Sequence, residues 1–251
     1  MEELSILLAL GLVAGSLSTL AGLGGGLVLT LALATLWDPT RALATAAPAL
    51  LVGNVHRIAL FRKHFDGRFV APFVLGAVPG AIAGGLMAVA LPETLLRFLI
   101  LGTALAATVH ELRGRRRAKQ GERTWRRPGP LFIAGAAAVA GVVTATSGGG
   151  GLLLGPLLLA AGARGERFLV SASSIAVCMH VARIGAYGAS HVVGVQTFLD
   201  AGVVALAILA GNALGRRARD PLGLTGESKR STRLTYGVLG VSITLAVAGL
   251  A

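Results

Sequence analysis

The chain has 251 residues, 54% of them hydrophobic and 14% charged, with a mean hydropathy of +0.76. A soluble domain carries roughly 25% charged residues, so this composition describes a polytopic membrane protein. The net charge of +12 would suit nucleic acid, but the basic residues gather in short loops between apolar runs; that pattern sets membrane orientation, and nucleic-acid binding is set aside.

Apolar runs near the roughly 20 residues needed to span a bilayer recur along the chain. The first covers residues 4–21. It begins Met1-Glu2-Glu3, acidic where a secretory leader is basic, so it is expected to be a span rather than a cleaved peptide. It stops at Gly22-Leu23-Gly24-Gly25-Gly26 and resumes over residues 27–37. Residues 40–61 form the next span, with Pro48 placed to kink it. Residues 69–90 follow, carrying Gly76, Gly80, Gly84 and Gly85, small residues that suit close helix packing. After residues 94–110 comes the strongest charge run, 111–128, with eight Lys/Arg against two Glu. The second interrupted segment is 131–146, then Ser147-Gly148-Gly149-Gly150-Gly151, then 152–163. Residues 167–189, 197–215 and 234–250 complete the spans. The single cysteine, Cys178, lies in the first of these; it excludes an intrachain disulfide and a multi-cysteine metal site, and its expected role is inert packing.

The two glycine runs organise the rest. Contiguous glycines open a helix, and an opened backbone inside lipid is costly unless its N–H and C=O groups face protein or a wet cavity. Paired breaks at matching places in two halves of a chain point to a transport site. The plainer alternative is that these glycines only let helices pack closely.

Basic loops mark the cytoplasmic side, here 61–68, 111–128 and 215–233, the last with six Lys/Arg against two acids. Between residues 128 and 215 the chain passes one broken segment and two ordinary spans. Both ends are basic, so the crossings must be even in number, and the broken segment must enter and leave on one face as a hairpin. Working backwards puts the termini outside, and the outside connection 191–196 contains no Lys or Arg. A shift of about 125 residues aligns the halves. Gly24-Gly25-Gly26 falls on Gly149-Gly150-Gly151, Arg57-Ile58 on Arg183-Ile184, and Gly80/Gly84 on Gly211/Gly215. Each half is then a glycine-broken helical hairpin followed by three transmembrane helices. The fold expected is an all-α polytopic membrane protein of two inverted-topology repeats, 1–110 and 129–251, joined by a basic cytoplasmic linker, 111–128.

Helices beginning at Leu27 and Leu152 would point their N-termini into the breaks, offering free N–H donors and about half a positive charge to an anion. The candidate substrate-binding backbone is therefore Gly24, Gly25, Gly26, Gly149, Gly150 and Gly151. Ser18, Thr19, Thr144, Thr146 and Ser147 stand close enough to add hydroxyl donors, the alternative being that each bonds back to its own helix. Arg57 and Arg183 are repeat equivalents within spans, with His56 and His180 close by. Arg57 lies near the cytoplasmic end of its helix, where it can snorkel. Arg183 lies toward the outer side, against the positive-inside trend, and is the stronger candidate of the two. The histidines are structural or proton carriers. All eleven Asp and Glu lie in loops or near span ends, so the interior is positive and the cargo should be an anion. No Gly-Lys-Ser/Thr follows a glycine run, and no Gly-x-Ser-x-Gly or His-Glu-x-x-His occurs. Nucleotide binding and hydrolysis are not indicated, and no cofactor or metal is expected.

Gly22-Leu23-Gly24-Gly25-Gly26-Leu27 followed by Asp38-Pro39-Thr40-Arg41-Ala42 and Thr45 resembles the first repeat of the sulfite exporter TauE/SafE family. Gly141, Ser147-Gly148-Gly149-Gly150-Gly151 and Pro156 resemble the second. Thr30 or Leu31 stands where a proline is usual in that family, and Ser147 where a glycine is common. The resemblance implies a bacterial inner-membrane permease for sulfite or a short organosulfonate, working by alternating access, with a homodimer left open. The rival readings are an anion channel of the same fold and a non-transporting membrane scaffold.

Overall fold

A computed structural model describes residues 2–21, 24–117 and 128–219. These form nine α-helices: α1 (Glu2–Ala21), α2 (Gly25–Leu36), α3 (Pro39–Phe61), α4 (Gly67–Ala90), α5 (Glu93–Arg117), α6 (Pro130–Ser147), α7 (Gly151–Ala160), α8 (Gly165–Ala189) and α9 (Val195–Arg219), with a 3-10 turn at Arg62–His64. No strand occurs among the described residues. Six of these helices (α1, α3, α4, α6, α8 and α9) are long and apolar enough to cross a membrane. The expected span at 234–250, and residues 118–127 of the expected linker, lie outside the described residues. One boundary differs: α5 continues to Arg117, beyond residue 110, because hydropathy marks where apolar residues stop whereas Arg, Leu and Glu are good helix formers in their own right.

Local chemistry sets the helix starts. Asp38 caps α3 by accepting from the Arg41 N–H at 2.8 Å, with Pro39 in the first turn. Asp66 caps α4 by accepting from the Phe69 N–H at 3.1 Å. Both are the short acidic caps that satisfy an otherwise orphaned donor. At the breaks the backbone turns left-handed, with Gly24 at φ 98° before α2 and Gly148 at φ 73° after α6. A β-carbon at either would be strained, and at Gly148 it would also strike the Thr30 side chain.

Two helix pairs make the closest approaches, and glycine permits both. A methyl group on Gly76, Gly80 or Gly84 of α4 would collide with Ala134, Ala138 or Val142 of α6. The ascending order on both helices means that α4 and α6 run parallel. On α1, Gly15 abuts Ile208 of α9, while Gly211 and Gly215 of α9 abut Leu12 and Ser16. Thus α1 and α9 also run parallel. Through the centre, α3 and α8 run antiparallel: Arg183 bonds to Leu43, and Arg167 pairs with Asp66 just beyond the other end of α3. The starts of α1, α3 and α9 therefore share one end of the molecule, and those of α4, α6 and α8 share the opposite end. The α1–α2 hairpin closes at the first end, where Trp37 Nε1 donates to Glu3 Oε1 at 3.0 Å.

Ion pairs stand at both ends. Arg41 Nη2 lies 3.0 Å from Asp200 Oδ2, with its guanidinium over the Trp37 ring. Arg167 Nη2 lies 2.8 Å from Asp66 Oδ2, with its guanidinium over Phe69. Two apolar cores flank the centre. One joins α1, α2, α3, α5 and α9, the other α4, α6, α7 and α8.

The glycine seam makes a direct prediction. Gly80→Leu should destabilise the protein by about 1–3 kcal/mol or more through overpacking against Ala138. Gly135→Leu on α6, where a β-carbon meets nothing within 4 Å, should leave the melting temperature within a few degrees of the parent. Thermal melts of both purified variants check the contrast.

Candidate functional site

The two glycine breaks meet between the cores. A methyl group on Gly26 would sit 4.0 Å from the carbonyl oxygen of Gly148, so the tips of the hairpins lie against each other. Between them is a cavity of about 70 Å³, room for several waters or one small oxyanion. Its walls come from α1 and α2 (Ser18, Gly24, Gly26, Leu27), α3 (Leu50, Asn54, Arg57), α6, α7 and the second break (Thr144, Gly148, Gly149, Gly151, Leu154) and α8 (Ala172, Ala176, Met179, His180).

Of the residues expected from sequence, Gly24, Gly26, Gly149, Gly151, Arg57 and His180 line this cavity, as do Ser18 and Thr144 of the candidate hydroxyls. Gly25 and Gly150 do not. Each turns its α-carbon onto the first arm of its own hairpin: a methyl on Gly25 would strike Ser18 and the Ala14 carbonyl, and one on Gly150 would strike Thr144 and the Ala140 carbonyl. They are the pivots on which the hairpins fold, and a side chain at either position opposes the turn before it reaches any ligand.

The hydroxyls mostly bond to their own helices. Ser147 Oγ donates to the Val143 carbonyl at 2.8 Å, Thr146 Oγ1 to Val142 at 2.9 Å and Thr144 Oγ1 to Ala140 at 2.7 Å. Thr19 Oγ1 donates across to Asn212 Oδ1 at 2.8 Å, and the Asn212 amide donates to the Gly53 carbonyl. That bond ties α1, α9 and α3 together beside the first break.

The two arginines paired by the expected repeat have different surroundings. Arg183 is fully buried. Its Nη1 donates to the Thr144 carbonyl at 2.9 Å and its Nη2 to the Leu43 carbonyl at 3.1 Å. Tyr187 beside it donates to the Ala145 carbonyl at 2.6 Å. Together they brace the C-terminal carbonyls of α6, the Thr144 carbonyl also taking the Gly148 N–H at 2.9 Å, and Arg183 is absent from the cavity wall. At the first break, Arg219 of α9 does the same for α1, donating from Nη1 to the Thr19 carbonyl at 2.9 Å.

Arg57 is buried too, at 8% exposure, yet it lines the cavity. Its Nη2 donates to Asn54 Oδ1, and its buried Nε finds no partner among the described residues. No described carboxylate pairs with it. His180 faces it from α8, with Nδ1 unpartnered. His56, next to Arg57 on α3, is half-buried and does not line the cavity; its Nδ1 is also unpartnered.

Asn54 is the polar wall residue that the sequence reading missed. A signal was present: Asn54 precedes Arg57 by three residues as His180 precedes Arg183, so all four occupy equivalent helical faces. No group of His, Cys, Asp or Glu among the described residues is placed to hold a metal ion.

A polytopic helical bundle with glycine-interrupted helices around a small cationic cavity is the architecture of a membrane transport protein. The family model described as Sulfite exporter TauE/SafE matches residues 7–247, nearly the whole chain. The chain belongs to the TauE/SafE family. No curated protein and no solved structure matches it significantly.

Removing Arg183 deletes two charge-assisted bonds to buried carbonyls, Thr144 on α6 and Leu43 on α3, and so unties two helices that keep only their own backbone bonds at those positions. Each such bond is worth about 1.5–3 kcal/mol. Arg183→Ala should therefore lower the melting temperature by several degrees at least, measured on the purified protein. Arg183→Lys should recover only part of the loss, since an ammonium cannot span both acceptors with a planar fork.

Proposed function

We propose that this protein is a secondary transporter for small sulfur oxyanions, sulfite or a short organosulfonate, and that the anion sits in the cavity between the glycine breaks. The observation that carries this reading is Arg57, a buried guanidinium facing the cavity with no described acid to neutralise it. A buried cation is costly without a counter-charge, and an entering oxyanion supplies one. Gly24, Gly26, Gly149 and Gly151 bring the N-termini of α2 and α7 to the same place, where backbone N–H groups and helix dipoles favour negative charge. His180 completes the polar wall. Gly25, Gly150, Ser147, Thr19, His56 and Arg183 form the frame around it.

In the same reading the two halves, 1–110 and 129–251, are inverted repeats joined by the basic segment 111–128. Supporting this, α1, α3 and α9 start at one end of the molecule while α6, α8 and α4 start at the other. Inversion gives a carrier two near-equivalent ways of exposing one site. The end with Arg62, Lys63 and Arg68 is cytoplasmic, on the positive-inside rule, in a bacterial inner membrane.

Purified protein in liposomes should show saturable flux of sulfite or methanesulfonate, tested alongside sulfate and thiosulfate with and without a pH gradient. Arg57→Gln should weaken anion affinity roughly tenfold to a hundredfold, the range of a lost charge-assisted contact. Unchanged affinity in that variant would move the site elsewhere. Flux that never saturates favours a channel, and absence of flux a scaffold. Orientation is checked by impermeant thiol labelling in a Cys178→Ala background. Gly194→Cys should react from outside intact cells, and Lys63→Cys should not.

A further inference from the structure

We infer that Asn54 is a positioning residue that aims Arg57 at the cargo, an inference that rests on the anion-site reading above. Asn54 is 3% exposed, and both ends of its amide are committed. Its Nδ2 donates to the Leu50 carbonyl at 2.7 Å, one turn back on α3, which leaves Oδ1 to accept from Arg57 Nη2. A planar fork gripped at one nitrogen has its remaining donors fixed in direction.

The other half shows what happens without this grip. Residue 180 is the counterpart of residue 54 and is a histidine. No bond joins it to Arg183, which instead reaches the backbone carbonyls of Thr144 and Leu43. Both arginines keep a buried Nε without a partner, but Arg183 commits its two terminal nitrogens to the frame, while Arg57 is held at the cavity wall.

The chemistry of the acceptor matters as much as its position. An amide oxygen orients the guanidinium and leaves its charge intact. A carboxylate in the same place would orient it equally well but supply the counter-charge itself, leaving nothing for an incoming anion. The other titratable or charged groups nearby are His180, facing from α8, with Arg183 behind it; His56 on α3; and Arg216 of α9 near His56. No carboxylate lines the cavity among the described residues. An acid at position 54 would therefore be the only one there.

The test uses the full-length protein in detergent or nanodiscs, with sulfite and methanesulfonate as probes and affinity measured by calorimetry at neutral and acidic pH. Each variant's affinity is divided by that of the parent at the same pH, so titration of the probe and of His180 cancels. Asn54→Asp should bind about tenfold or more weakly at neutral pH and recover toward parent affinity on acidification, as the new carboxyl protonates. Its melting temperature at neutral pH should fall, because the carboxylate sets an oxygen against the Leu50 carbonyl where Nδ2 donated, so affinity is compared on protein shown to be folded at each pH. Asn54→Ala should lose affinity by the same ratio at both pH values. Parent-like affinity of either variant at neutral pH overturns the assignment, as does a loss in Asn54→Asp that acid does not relieve. If the parent protein binds neither probe, it is the anion-site reading itself that fails.

Discussion

A helix interrupted inside lipid leaves two sets of unsatisfied groups: N–H donors on the arm that follows and C=O acceptors on the arm that precedes. With no water in the hydrocarbon region, both must be met from within the protein. The donors belong to α2 and α7, whose first residues line the cavity. The acceptors belong to α1 and α6: Arg219 donates to Thr19 on one side, and on the other Tyr187 donates to Ala145 while Arg183 and the Gly148 N–H share Thr144. Buried cations thus serve the breaks in two ways, closing the carbonyl end of each and, through Arg57, charging the space that the donor end faces.

Bringing the tips together requires the surrounding helices to approach closely, and between apolar helices in lipid there is no hydrophobic driving force to compress them. Close packing of backbones replaces it. The α4–α6 and α1–α9 seams use the same device, glycines one turn apart whose α-carbons rest on the partner's carbonyls. In each seam a hairpin's first arm, α1 or α6, is held against a helix distant in the chain, α9 or α4. Between the seams, α3 and α8 cross the middle carrying Asn54, Arg57 and His180.

Much of this was legible from the residues. The hairpins, their glycine turns and the helix order follow from apolar runs and backbone conformation, and the family follows from the duplicated glycine motif. What composition could not give was the partition between Arg57 and Arg183. Their distances from the membrane faces favoured Arg183 as the ligand, but its guanidinium bridges the Thr144 carbonyl of α6 and the Leu43 carbonyl of α3, a contact between distant helices that spacing along one helix does not reveal. Gly25 and Gly150 were hidden for a related reason. Spacing shows that a glycine run turns the chain, but which α-carbon faces the partner arm depends on the turn's own geometry. Asn54 went unnoticed because a neutral amide on an apolar face carries no pattern until its neighbour is known to be an unpaired arginine.

The ends of the molecule are held differently from its middle. Arg41 and Asp200 pair with side chains 41% and 12% exposed, and Arg167 and Asp66 pair at 42% each. A pair as open as Arg167–Asp66 contributes about 0–1 kcal/mol, since solvent screens it and two side chains must be ordered; Asp200 is buried and also accepts from Gln196, so its pair is held more firmly. The interior seams, in contrast, involve backbone contacts that no rotamer change can relieve. The described contacts thus divide in strength by position: side-chain ion pairs that a rotamer change can break stand at the two ends, and a stiff glycine-packed frame surrounds the cavity.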